Sequence, residues 1–184
     1  MRSAWLSRYN EGVFRLRDYE HRDFEELYRI DTDCFQPGVA YSRGELQSYV
    51  ERKHSFCIIA EPASAEPDAV TTAATATRNP GAGRESRKVR IAGFVIVELH
   101  PQGYGHIITL DVRRDFRRHR LGTLLMQAAE EKIRKHGGFM MVLEAAVNNT
   151  AALAFYERQR YKVLKRLPRY YLHNLDAWFL TKRL

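Results

Sequence analysis

Little in this sequence marks a specialised architecture, and each shortage excludes something. The 184 residues contain only two cysteines, Cys34 and Cys57, neither with a companion at metal-ligand spacing. A disulfide framework or a zinc site is therefore not expected, no metal is assigned, and both cysteines read as buried fillers. No run approaches the roughly 20 consecutive apolar residues that a membrane-spanning helix needs. The opening MRSAWLSRYNEGVF lacks the apolar stretch of a secretory signal, so the expectation is a cytoplasmic protein with no membrane partner. No internal repeat is visible. Acidic residues are the minority, 22 against 30 Lys and Arg, and the net charge of +8 favours an anionic partner: nucleic acid, a membrane surface or a phosphorylated cofactor.

What is present is apolar surface. Hydrophobic residues make up 45% of the chain, with ten Tyr and nine Phe, enough to offset chain entropy on collapse. The length suits a single domain, 1–184.

Val13 to Arg17 alternates Phe14 and Leu16 with Arg15 and Arg17, the period of a half-buried strand. Asp23 and Glu26 have capping-box spacing, and Phe24, Leu27, Tyr28, Asp31 and Phe35 share one helical face on which only Asp31 is polar. Gln36 to Ser42 reads as a loop, Arg43 to Lys53 as a helix capped by Ser42, and Ser55 to Ala60 as a strand. From Glu61 to Arg90 the composition turns to Ala, Thr, Pro, Glu and Gly, without aromatic residues, Leu or Ile. That predicts a disordered insertion, a long hairpin loop between neighbouring strands.

Ile91 to His100 and His106 to Val112 form the next expected hairpin, across Pro101 to Gly105. Leu121, Leu124, Leu125, Ala128 and Ile133 recur at helical spacing up to Gly137 and Gly138. Met140 to Val147 reads as a buried strand, Thr150 to Arg160 as a helix capped by Asn149, and Val163 to Leu167 and Ala177 to Lys182 as closing strands. The order is β-α-α-β-β-β-α-β-α-β-β.

The most informative segment lies where the strand ending at Val112 hands over to the helix beginning at Leu121. Arg113, Arg114, Arg117, Arg118, His119 and Arg120 crowd that corner. Free backbone N–H groups, a positive helix end and guanidinium groups together make a phosphate site, and Gly122 lets the backbone approach a pyrophosphate. The plainer reading is a solvated charge run.

VRRDFRRHRLGT, Val112 to Thr123, resembles motif A of the GNAT superfamily of N-acetyltransferases, whose pattern is Gln/Arg-x-x-Gly-x-Gly/Ala; Arg117 and Gly122 match, and Arg120 stands where the first glycine belongs. LEAAVNNTAALAFYERQRY, Leu143 to Tyr161, resembles motif B and is most similar to the RimI-type protein N-terminal acetyltransferases. The resemblance implies an α/β (α+β) fold with a mixed, mostly antiparallel sheet of about seven strands, helices on both faces and a splay between the fourth and fifth strands.

It also implies acetyl-CoA as cofactor. Arg117, Arg118, His119, Arg120, Leu121, Gly122 and Thr123 would surround the pyrophosphate, the edge of Leu110, Asp111 and Val112 would pair with pantetheine and acetyl group, and Asn149 would touch the cofactor. Glu144 would be general base and Tyr156 general acid. That division suits the chemistry: an ammonium must lose a proton before attacking a thioester, and the leaving thiolate gains from receiving one. LPRYY, ending in Tyr170 and Tyr171, resembles the hairpin lining the peptide entrance, and the loop Phe35 to Tyr41 would form the opposite wall, with Asp31 and Asp33 the nearest acidic groups in sequence.

The expected activity is acetyl transfer to the α-amino group of a protein or peptide, by direct attack in a ternary complex. Two alternatives stay open. One is acetylation of a small amine; the other is a basic module whose Arg-rich turn contacts phosphates without catalysis, although nucleic acid is not the expected partner.

Overall fold

The computed structural model describes residues 6, 12–35, 38–63 and 91–184. Alternation along the strands sorts apolar side chains onto two faces of one sheet. The strands are β1 (Phe14–Asp18), β2 (Ser55–Pro62), β3 (Gly93–His100), β4 (Tyr104–Val112), β5 (Met140–Ala146), β6 (Lys162–Tyr171) and β7 (Leu175–Arg183). They lie in the order β1-β2-β3-β4-β5-β7-β6, antiparallel throughout except for β4 beside β5. The helices are α1 (Phe24–Cys34), α2 (Arg43–Glu51), α3 (Leu121–Lys135) and α4 (Thr150–Arg158). The expected order and seven strands are all there.

One core packs Leu16, Ile58, Val95 and Leu143 under Leu125, Ala129 and Ile133 of α3, with Tyr156 of α4. The other packs Ile59, Phe94 and Ile96 against Leu27 and Ile30 of α1 and Leu46 of α2. Successive residues of β2 and β3 alternate between the two cores, so both strands are buried on both faces and read as unbroken apolar runs. Truncating a side chain such as Leu27, fully buried, to alanine should cost about 2–5 kcal/mol.

Several expectations need correction. β2 continues past Ala60: Glu61 is buried in the strand, accepting from Arg15 (2.6 Å) and from Arg17 (2.7 Å). A charged residue ended the apolar run, but cross-strand arginines satisfy it. The rest of that expected insertion, 64–90, lies outside the described residues, as do loop residues 36 and 37. Asp23 is not a cap answered by Glu26. It is buried, takes two bonds from Arg17 (2.6 and 2.8 Å) and caps the short turn before α1 through Glu20 N (2.8 Å), while Glu26 accepts from Ile91 N (3.2 Å). Tyr104 and Gly105 belong to β4 rather than to the turn. The helix expected to reach Arg160 stops at Arg158, and Arg160 takes a left-handed conformation, φ 69°. The Ser42 cap with Glu45 and the Asn149 cap both form.

Candidate active site

The corner between β4 and α3 is built mostly of backbone. A 3-10 turn, Arg114–Phe116, carries the chain out of β4, and Phe116 anchors it edge-on to Phe14 at 6.0 Å. Arg118 and Arg120 then adopt left-handed backbones, φ 64° and 61°. Arg120, in the place of the motif's first glycine, is the N-cap of α3 with no side-chain bond to the helix. The N–H groups of Leu121, Gly122 and Thr123 consequently have no acceptor among the described residues, as a helix start leaves them.

The basic residues divide the work. Arg113 meets Glu26 at 3.4 Å. Arg117 folds inward, donating to Val112 O (3.0 Å) and to Cys34 Sγ (3.6 Å), and His119 Nδ1 meets Arg117 O at 2.9 Å. Arg118 and Arg120 are exposed, with no ion-pair partner among the described residues. Open amides, a helix dipole and free guanidinium groups fit a diphosphate. Gly122 has a second reason: a Cβ there would come within 3.2 and 3.3 Å of the Phe155 ring, so a side chain would have to push that ring aside by a few tenths of an ångström.

The cleft is made where two strands part. β4 and β5 pair only from Tyr104 to His106 against Met140 to Val142. Beyond that β5 stays with β7, Leu143 opposite Leu180 and Ala146 opposite Ala177, and β4 leaves it. The register of β4 against β3 also slips between Ile96 and Val97, leaving Ile108 as the extra residue of a bulge, the usual device for bending one strand away. The gap is a pocket of about 540 Å³ including its open mouth. Its walls are Ile107, Thr109 and Leu110 of β4 and Leu143, Glu144 and Ala145 of β5, with Asn149, the cap of α4, Tyr156 within that helix, and Phe35, Tyr41 and Tyr171 beside them. Tyr41 Oη donates to Ile108 O at 3.2 Å and Tyr171 Oη to Glu144 O at 3.4 Å, so each tyrosine ties a wall to one of the splayed strands.

Two reactive groups face this gap. Glu144 Oε2 lies 2.7 Å from His106 Nε2, a pair bridging β4 and β5 at the last point where they are bonded. Tyr156 is held by edge contacts to Phe155 (5.2 Å) and Tyr161 (5.8 Å), and its hydroxyl has no hydrogen-bond partner among the described residues. Burial, and next the charge of Asp111, push that phenol well above its ordinary range, so it remains protonated at neutral pH.

Beneath the cleft lies a buried acidic pair. Asp31 and Asp111 are both almost fully buried, and an oxygen of each lacks a hydrogen-bond partner. Burial raises the Asp31 carboxyl from 3.8 to about 6, opposed by the bond from Tyr41 N (3.0 Å). Asp111 is pushed up by burial and then by Asp31. Neither side chain lines the cleft: Asp111 turns toward α1, Asp31 is spent holding the α1–α2 loop at Tyr41, and Asp33 is exposed.

Of the residues singled out from the sequence, Leu110, Glu144, Asn149, Tyr156, Phe35, Tyr41 and Tyr171 converge on the cleft. Arg117 to Thr123 form the corner. Tyr170 stays at the rim, 47% exposed and perpendicular to Tyr171 at 5.0 Å. Asn149 Oδ1 caps α4 at Ala152 N (3.1 Å), leaving its amide NH₂ free to donate. Sequence reasoning missed His106, because its link to Glu144 depends on a parallel pairing between segments 38 residues apart.

Residues 24–161 match the acetyltransferase (GNAT) family. The chain belongs to that family. It is 39% identical over 74 residues to N-alpha-acetyltransferase 30 of Schizosaccharomyces pombe, a match covering 40% of this chain and 49% of that one. It therefore spans about half the length of the curated relatives it matches. Among solved structures, Ard1 from Thermoplasma volcanium superposes with a TM-score of 0.73 at 18% identity, covering 94% of this chain and 99% of that one. The ribosomal-protein-S18-alanine N-acetyltransferase of Escherichia coli superposes with a TM-score of 0.70 at 18% identity, covering 92% and 93%. At that identity the likenesses establish the GNAT fold, and the parallel β4–β5 pair is its splay.

Proposed function

We propose that the chain transfers the acetyl group of acetyl-CoA to the α-amino group of a protein or peptide N-terminus. The observation that carries this reading is the splayed gap, with the Glu144–His106 pair on one strand boundary and an unpartnered Tyr156 hydroxyl facing the same space. The similarity to N-alpha-acetyltransferases supports the acceptor class.

Acetyl-CoA supplies an acyl group activated as a thioester. The amides of Leu121 to Thr123, with Arg118 and Arg120, hold the diphosphate. The edge of β4 from Leu110 to Val112, which β5 leaves open and where, among the described residues, only Val112 O is taken, by Arg117 and Cys34, offers backbone groups to the amides of pantetheine, as a sheet edge does to an added strand. Glu144, braced by His106, takes the proton of the incoming ammonium directly or through water. Tyr156, kept protonated by burial, gives its proton to the departing sulfur. Tyr41, Tyr170 and Tyr171 line the acceptor's path and screen the reaction from water. Glu144 is the one acidic residue lining the cleft among the described residues, whereas a polyamine or aminoglycoside would need several carboxylates, so a polycationic small amine fits poorly.

The test is incubation with acetyl-CoA and a panel of peptides of differing N-terminal residues, following free thiol and locating the added acetyl by mass spectrometry. Acetyl on the α-amine is expected. Coenzyme turnover only with small amines, or none at all, would refute the assignment.

A further inference from the structure

α4 ends at Arg158, and the chain turns back through Arg160 into β6. Arg158, Arg160 and Lys162, with Lys182 and Arg183 of β7 and Arg134 near the end of α3, line an open groove of about 1240 Å³ including its open mouth. Among the described residues no aromatic or aliphatic side chain lines it. The carboxylate there, Glu130, is buried and consumed: Lys182 reaches both its oxygens at 2.7 Å and Arg134 one at 3.8 Å. Arg158, Arg160, Lys162 and Arg183 are left exposed, with no ion-pair partner among the described residues.

Unpaired cations gathered in one concavity repel each other in the folded chain. Arg160 adds a second anomaly. It occupies the left-handed position after a helix, where glycine is the residue without steric penalty. The chain tolerates strain there while keeping a guanidinium at the groove.

The lining selects the anion. A protein partner draws most of its affinity from Trp, Tyr and Arg anchors seated in closed, desolvated pockets, whereas this groove is open and has no aromatic anchor among the described residues. A phosphodiester backbone needs only cations, gains by releasing condensed counterions, and pairs well with guanidinium forks. Extent points the same way. Gln159, between Arg158 and Arg160, bonds Thr123 in the first turn of α3 at 3.0 Å, and Arg134 sits in its last. The groove thus runs along the flank of α3, from beside its first turn to its last, with cations contributed by α3, the end of α4, β6 and β7. We propose that this groove binds the phosphate backbone of a nucleic acid, outside the acetyl-transfer cleft and beyond the coenzyme's corner, which it adjoins at Gln159.

The experiment titrates the whole chain into fluorescently labelled 20-base-pair RNA and DNA duplexes at several salt concentrations, reading anisotropy. Binding should weaken with salt at a log–log slope of about −3 to −4, one per free cation. A preference between the two duplexes shows which nucleic acid is the source. The triple variant Arg158→Glu, Arg160→Glu, Lys162→Glu should lose at least about 30-fold in affinity and most of that slope, since each phosphate contact is counted in it. Reversing three exposed cations elsewhere, Arg22, Arg29 and Lys53, should cost under about threefold, by screening. Arg160→Gly separates ligand from fold: it should raise the melting temperature by relieving the left-handed arginine, yet weaken binding. The proposal is overturned if neither duplex binds at low salt, or if the groove variant binds like the parent. Displacement of the duplex by polyglutamate would make the partner an acidic protein, and displacement by coenzyme A would return the groove to the coenzyme; either defeats it.

Discussion

The phosphate corner and the splayed cleft are neighbours built by opposite strategies. The corner, Arg117 to Thr123, is one contiguous stretch whose working parts are main-chain amides and exposed guanidinium groups. The cleft takes side chains from the α1–α2 loop, β4, β5, α4 and β6, all of them buried or partly buried. A corner of this kind depends on local backbone conformation, so it tolerates Arg118 and Arg120 in left-handed positions that would favour glycine. The cleft depends on registers and packing across the sheet, and a small displacement of one strand alters every distance inside it. Binding and chemistry should therefore fail separately.

The largest effect should come from the corner. Gly122→Val, whose side chain meets Phe155 at once, should weaken coenzyme A binding by roughly 10²-fold or more and destabilise the fold by about 1–3 kcal/mol through overpacking. Calorimetric titration beside a melting curve reads both, and near-parental binding would dissolve the distinction between the regions.

Next comes the floor of the cleft. Tyr156→Phe removes only the unpartnered hydroxyl, so turnover should fall about 10²-fold, the usual worth of a positioned acid, while coenzyme affinity holds within about twofold. Loss of affinity instead would make Tyr156 part of the binding wall.

The Glu144–His106 pair gives a subtler result. Glu144→Gln and His106→Ala should each lower turnover roughly 10- to 100-fold, and the double variant should be little worse than the poorer single, because bonded partners do not add. Additive losses would mean that the 2.7 Å contact is incidental to the reaction.

The smallest effect is thermodynamic. A buried carboxyl raised to about 6 in the fold stabilises the protein fully below its unfolded value, and this is lost as pH climbs through 6. Asp31→Asn, which can still accept from Tyr41 N, should be more stable than the parent by on the order of 2 kcal/mol at pH 8, with the gap closing near pH 4. Melting curves at the two pH values test it; a gap independent of pH would remove Asp31 as the titrating group.

Local pattern carried far in this chain. Strand alternation, the Ser42 and Asn149 caps and the β4-to-α3 handover are short-range signals, and each element they indicate forms. Where the reading slipped, a distant partner had changed the meaning of a residue. Glu61 looked like the start of a polar insertion because nothing nearby neutralises it; Arg15 and Arg17, on another strand, do so. Asp23 had the spacing of a cap but is claimed by Arg17. Asp31 and Asp33 were the acidic groups nearest the expected entrance, but Asp31 is buried and holds Tyr41 N, and Asp33 is exposed and does not line the cleft.

By itself the sequence determined the order of elements, the amide-rich corner and the residue types of the cleft, because these rest on the periods of 2 and 3.6 and on contiguous motifs. Tertiary structure alone decided that β4 leaves β5 after His106, that His106 meets Glu144, and that, among the described residues, the Tyr156 hydroxyl has no partner and unpaired cations collect beyond α4. Those are contacts between segments far apart along the chain, and no local periodicity encodes the distance between two side chains that only a packed sheet brings together.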